Sequence, residues 1–122
     1  SADMRAILAR AASGDDDAQL AFDVYTHRLR AAIAAMTASL GGIDALLFTG
    51  GVGERSPVVR AAAVAGLGFL GAALDADLNE AVEPPDREIS AAAARVRTLV
   101  VAAREDVEIA HEVREVLADA RA

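Results

Sequence analysis

The order of helical and extended patterns in this chain of 122 residues predicts an α/β fold, a small, partly parallel sheet flanked by helices. Three observations carry that expectation. Ala45-Leu46-Leu47-Phe48 is a short apolar run of the length of a strand buried on both faces. It leads through Gly50, Gly51 and Gly53 into Ser56-Pro57, where serine as N-cap and proline at the first helical position predict a helix from Pro57 to about Gly66. Further on, Arg95 to Val101 alternates like a strand and is followed by a helical pattern over Glu105 to Ala120.

Taken in order, Ser1 to Arg10 is a polar start with one or two helical turns, and Ser13-Gly14-Asp15-Asp16-Asp17 is a loop and N-cap cluster. Acids there complement the positive end of the next helix. Phe22, Tyr25, Leu29, Ile33, Met36 and Leu40 recur at spacings of three and four, so a long amphipathic helix runs from about Ala18 to the Gly41-Gly42 C-cap. After Gly66 the chain predicts a turn and a glycine-interrupted extended segment to Leu74, and then a loop from Asp75 to Asp86 containing Pro84-Pro85. Arg87-Glu88-Ile89-Ser90 reads as an edge strand. In the last helix Ile109, Val113, Val116 and Leu117 share one face.

Composition narrows the function. A net charge of −7 argues against a nucleic-acid surface. The absence of cysteine removes thiol catalysis, disulfides and cysteine metal sites. No apolar run is long enough to span a bilayer, and the start is no signal peptide, so a cytoplasmic protein is expected. Aromatic residues are 3% against 54% hydrophobic, which predicts a core of closely packed small side chains. Length fits one domain over residues 1–122. Yet few strands can be counted, and Ser1 opens the chain without an initiator methionine, as in a part of a larger fold.

The stretch richest in chemistry is Gly50 to Pro57. Glycines allow positive φ and close approach of a ligand to the main chain, and a helix N-terminus favours an anion, so the arrangement suits nucleotide phosphates. The spacing is neither that of the dinucleotide-binding nor of the P-loop fingerprint, and an ordinary strand-to-helix turn has the same residues. His27 and His111 lie in helical segments with no partner at metal-ligand or triad spacing, and read as surface or packing histidines.

Four stretches together resemble the C-terminal portion of the acetate kinase family. They are Ser1-Ala2-Asp3-Met4-Arg5, the run from Asp44 to Arg55, Leu70 to Asp75 with Asn79, and Ala103 to Ala110. The corresponding family patterns are S-x-D-x-R, D-x-x-x-F-T-G-G-I-G-E-N, L-G-x-x-L-D with a following N, and T-N-E-E-x-x-I-A. Two positions depart, Arg55 in place of asparagine and Ala103-Arg104 in place of Thr-Asn. The resemblance implies part of an actin-like, ribonuclease H-like ATPase domain, covering about the last third of a family member. It implies ATP or ADP bound by Asp3, Met4 and Arg5 together with Gly50, Gly51, Val52, Gly53, Glu54 and Arg55, and Mg²⁺ held by Glu105. Read from the residues alone, Asp3 and Arg5 are a solvated ion pair and Glu105 is a helix-capping acid. The reaction implied is phosphoryl transfer from ATP to acetate, giving acetyl phosphate, with propionate or butyrate kinase as the nearest alternative and a non-catalytic helical interaction module as one of another class. The arginines, histidine and aspartate around the transferring group would lie upstream, leaving this piece inactive alone, and a homodimer would form through it.

Overall fold

The computed structural model describes residues 3–121, so Ser1 and Ala2 at the head of the first motif lie outside the described residues. Helix α1 (Met4–Ala12) begins at Asp3, whose carboxylate accepts the Arg5 N–H at 3.0 Å. Asp15 caps α2 (Asp16–Leu40) by accepting the Ala18 N–H at 3.1 Å, and α2 stops where Gly41 takes a φ of 76°. Such a left-handed stop is favourable for glycine and strained for other residues.

The face α2 turns to the rest of the chain differs from the expected stripe. Ala18, Thr26 and Thr37 are its buried residues, while Phe22, Leu29 and Ile33 are half-buried, and Tyr25, Met36 and Leu40 are exposed. Small side chains let α1 and α4 approach closely, which larger ones would prevent. Both buried threonine hydroxyls are satisfied within the helix, Thr26 on the Phe22 carbonyl at 3.1 Å and Thr37 on that of Ile33 at 2.9 Å.

Strand β1 (Ala45–Phe48) follows, then two helices, α3 (Gly50–Arg55) and α4 (Pro57–Ala65). The glycine turn expected between strand and helix is thus itself a short helix, entered through Gly50 at φ 74°. Ser56 caps α4 as expected, its hydroxyl accepting the Val59 N–H at 3.2 Å with Pro57 in the first turn. The extended segment expected before Leu74 is a 3₁₀ turn over Gly68–Leu70, and Leu74 makes only an isolated bridge to Ser90. The expected Asp75–Asp86 loop contains a helix, α5 (Ala76–Glu80), because Asp75 caps it by accepting the Leu78 N–H at 2.9 Å. Strands β2 (Arg87–Glu88) and β3 (Arg97–Val100) precede the final helix α6 (Glu105–Ala120).

The sheet has three strands in the order β1-β3-β2, with β1 parallel and β2 antiparallel to β3. It is the small mixed sheet with helices that the pattern predicts. Only one face of β1 is packed against other elements among the described residues: Leu46 and Phe48 turn to the core, whereas Leu47 is 55% exposed. The expectation that both faces are buried is therefore wrong for this strand. Phe48 packs with Ala63, Val64, Leu67, Ala72 and Val96. Arg30 joins α2 to α4 by donating to the Ala62 carbonyl from Nε at 3.0 Å. Helix α6 buries no residue, so the apolar face of Ile109, Val113, Val116 and Leu117 exists but is exposed. Among the described residues no helix is long and apolar enough to cross a membrane.

Candidate nucleotide site

The expected site residues fall on three elements. The N-terminus of α1 supplies Asp3, Met4 and Arg5, α3 supplies the glycine run, and α6 supplies Glu105. Asp3 and Arg5 are exposed, with Arg5 Nε 3.7 Å from Asp3 Oδ1, while Met4 is buried and forms part of the wall. Across from them stands α3, whose N-cap Thr49 makes no side-chain bond to the first turn.

One cleft of about 400 Å³ brings Asp3, Met4, Arg5, Gly51, Val52 and Arg55 together. These residues are separated by some forty-five positions in sequence, and the fold makes them neighbours. Leu8 and the segment Ser56 to Val58 complete the lining. Sequence reasoning missed Leu8 and Val58 as wall residues, and their only signal was apolar character beside the polar motifs. A Cβ added at Gly51 would meet nothing within 4 Å, so the main chain there faces open space.

Other expected residues stand outside this cleft. Gly50 provides the left-handed entry to α3, and Gly53 lies against Phe48, where an added Cβ would meet main chain and side chain at 3.5 Å. Glu54 lines a second cleft of about 360 Å³ with Arg60, Glu80 and Arg87, and Arg55 and Pro57 border both clefts. The Glu54 carboxylate accepts the Ala103 N–H at 3.2 Å. It thereby ties α3 to the connection that leads into α6. Glu105 lies two residues further on, exposed in a first turn that also carries Asp106 and Glu108.

That connection is held a second time. Asp86 accepts the Ala102 N–H at 2.9 Å and pairs with Arg104 at 2.7 Å. The Ala102 N–H first, then Arg104, holds the Asp86 carboxyl below its ordinary range. Arg104, one of the two departures from the family pattern, thus has its charge taken up by Asp86. Arg55, the other, is exposed at the rim with no side-chain hydrogen bond among the described residues.

Among the described residues no cluster of three or more histidine and acidic side chains could enclose a metal ion. Magnesium does not need one, since it takes one or two carboxylates and completes its octahedron with water and substrate phosphate oxygens. A single acid at Glu105 fits that requirement. His27 is exposed on α2, and His111 Nε2 lies 3.2 Å from Glu115 Oε1 one helical turn away, so both are surface groups.

The pattern described as the acetokinase family matches residues 1–111. The chain belongs to the acetokinase family. An acetate kinase of Gloeobacter violaceus is 51% identical over 110 residues, which cover 90% of this chain and 27% of that protein. The crystal structure of acetate kinase from Porphyromonas gingivalis superimposes with a TM-score of 0.85 at 32% identity, covering 96% of this chain and 29% of that one. A propionate kinase from Francisella tularensis gives a TM-score of 0.75 at 31% identity, over 84% of this chain and 26% of that one. This acetokinase-family chain therefore spans less than a third of the length of the relatives it matches, and the small mixed sheet is a partial domain of their α/β fold.

Proposed function

We propose that the chain is the nucleotide-binding C-terminal portion of an acetate kinase, an enzyme that transfers the γ-phosphoryl of ATP to acetate and yields ADP and acetyl phosphate. The observation that carries this reading is the cleft joining Asp3, Met4 and Arg5 to Gly51, Val52 and Arg55 in a member of the acetokinase family. Asp3 accepts ribose hydroxyls, and the Arg5 guanidinium, 95% exposed at its side chain, meets the base or a phosphate. Met4 and Leu8 give the adenosine an apolar wall. The main chain of Gly50, Gly51, Val52, Gly53 and Glu54 lies along the phosphates, with Arg55 supplying positive charge at the rim.

Glu105 holds Mg²⁺, directly or through water, and Glu54 fixes the connection before it by its bond to Ala103. When bound, Mg²⁺ neutralises charge on the phosphates. The protein's own contribution to such a transfer is positioning and electrostatic stabilisation. Groups that would surround acetate and the transferring phosphoryl belong to the part of the relatives not spanned here. We infer that residues 1–122, acting as one domain, have little or no kinase activity alone, that they form a homodimer, and that the protein is cytoplasmic.

Titration of the chain with ADP, followed by amide NMR, tests the reading: shifts centred on Gly50 to Glu54 and on Asp3 to Arg5 are expected, and their absence overturns it. Gly51→Ala sharpens the test. The added methyl has free space in the folded chain, so stability stays level or rises by up to about 1 kcal/mol, while ADP affinity falls roughly ten-fold. The likeness to a propionate kinase favours one second reading, a longer acyl acceptor. Rates of the complete enzyme with acetate and propionate decide between the two.

A further inference from the structure

Arg60, in the middle of α4, is the one charged side chain that is fully buried among the described residues, at 1% exposure. No carboxylate bonds to it. Nε donates to Asn79 Oδ1 at 2.8 Å and Nη2 to the Asn79 carbonyl at 2.7 Å. Nη1 donates to the carbonyls of Gly53 and Glu54, both at 2.9 Å. Asn79 Nδ2 in turn donates to the Pro57 carbonyl at 2.9 Å. The result is a closed loop of bonds that joins the C-terminal end of α3, the body of α4 and α5.

As a stabiliser of the fold, a buried cation with no carboxylate bonded to it, Glu80 acting on it only through space, is a poor choice, and a hydrocarbon side chain of similar volume often serves better. Hydrocarbon cannot, however, bind carbonyls. Helix α3 needs that service: it has six residues, Gly50, Gly51 and Gly53 among them, too few and too flexible to hold a helical turn unaided. Its shape is imposed at its two ends, by Gly50 in the left-handed region and by the Arg60 guanidinium on the last carbonyls.

We propose that Arg60 is a positioning residue for nucleotide binding: through the Gly53 and Glu54 carbonyls it fixes α3 so that Gly51 and Val52 face the cleft, while Asn79 holds the guanidinium in place. The inference rests on the nucleotide reading of that cleft. It concerns a side chain outside the lining of the cleft that joins Asp3 to Gly51, and the class of ligand affected is a nucleoside di- or triphosphate.

The test uses the 122-residue chain with ADP as the probe, read by calorimetric titration and by hydrogen exchange at residues 50–55. Three variants are compared: Arg60→Met, Arg60→Lys, and Val59→Ala as a destabilising substitution on the same helix whose side chain makes no bond to α3. Arg60→Met is expected to weaken ADP binding about ten-fold or more and to speed exchange selectively at residues 50–55, the effect of losing buried bonds to two carbonyls. Arg60→Lys keeps a donor for one of them and recovers part of both losses, whereas Val59→Ala leaves the affinity unchanged. Should Arg60→Met not fold, Arg60→Lys carries the same comparison. Unaltered affinity and unaltered exchange in a folded Arg60 variant overturn the proposal and leave the nucleotide reading standing. An equal loss of affinity in Val59→Ala also overturns it, because the role is then one of general stability. If the unsubstituted chain binds no ADP, the nucleotide reading itself fails and the role assigned to Arg60 goes with it.

Discussion

Helices α4 and α6 have opposite fates. In nine residues α4 buries Val59, Arg60, Ala63 and Val64. In sixteen residues α6 buries none, although Ile109, Val113, Val116 and Leu117 form as clear an apolar face. Both begin well, α4 with a serine cap and proline, α6 with Glu105, Asp106 and Glu108 at the positive end of its dipole. The contrast teaches that periodicity tells which face will be covered but not by what. For α4 the cover is Phe48, Leu67 and Val96. For α6 it is absent from the described residues.

Substitutions can break or sharpen this contrast. The largest effect is expected for Val64→Asp, which sets a carboxylate among the buried apolar neighbours of α4. A loss above about 4 kcal/mol follows, seen as loss of the cooperative urea transition. Next comes Gly66→Ala at the end of α4. Its methyl would overlap Arg30 Cδ, Nε and Cζ, the side chain that binds the Ala62 carbonyl. Pushing that arginine aside costs about 1–3 kcal/mol, and an unchanged denaturation midpoint would show that the Arg30 side chain swings clear without loss to the α2–α4 joint. Val113→Asp on α6 makes the same chemical change as the first variant, and in this chain it shifts stability by less than about 0.5 kcal/mol. A loss comparable to that of Val64→Asp would mean that α6 is covered after all.

The smallest effect is local to the tether of α6. Asp86 is ionised in its bonds to Ala102 and Arg104, and its folded-state pKa lies below the ordinary 3.8. Its contribution is therefore complete above that ordinary value and is lost as pH falls through the depressed one. Amide shifts of Ala102 and Arg104 should move together in that acid range, and Asp86→Asn should abolish the movement.

Local signals in the sequence were good guides at several caps and strands, although the Asp75 cap of α5 was read as part of a loop. Asp15, Gly41 and Ser56 act at the ends of their helices as their residue types predict, and β2 and β3 lie within the segments that suggested them. Tertiary effects were not legible. The facing stripe of α2 is set by how closely its neighbours approach, which selects Ala18, Thr26 and Thr37 over Tyr25 and Met36. The glycine run could be read as special, but not as a helix, because its shape depends on Arg60 and Asn79. A lone arginine in the apolar segment Val58 to Val64 was the available clue to that network. Of the candidate site, the motifs supplied the residues proposed, and the fold decided which of them share a cleft and that Glu105 stands apart.

The position of β1 at the margin of the sheet has a further consequence. One side of its backbone carries no ladder among the described residues, and the outward Leu47 is apolar. An uncovered strand margin of that kind is a template on which other chains assemble. The segment that leads into the glycine helix is thus also where separated copies of this polypeptide can begin to aggregate.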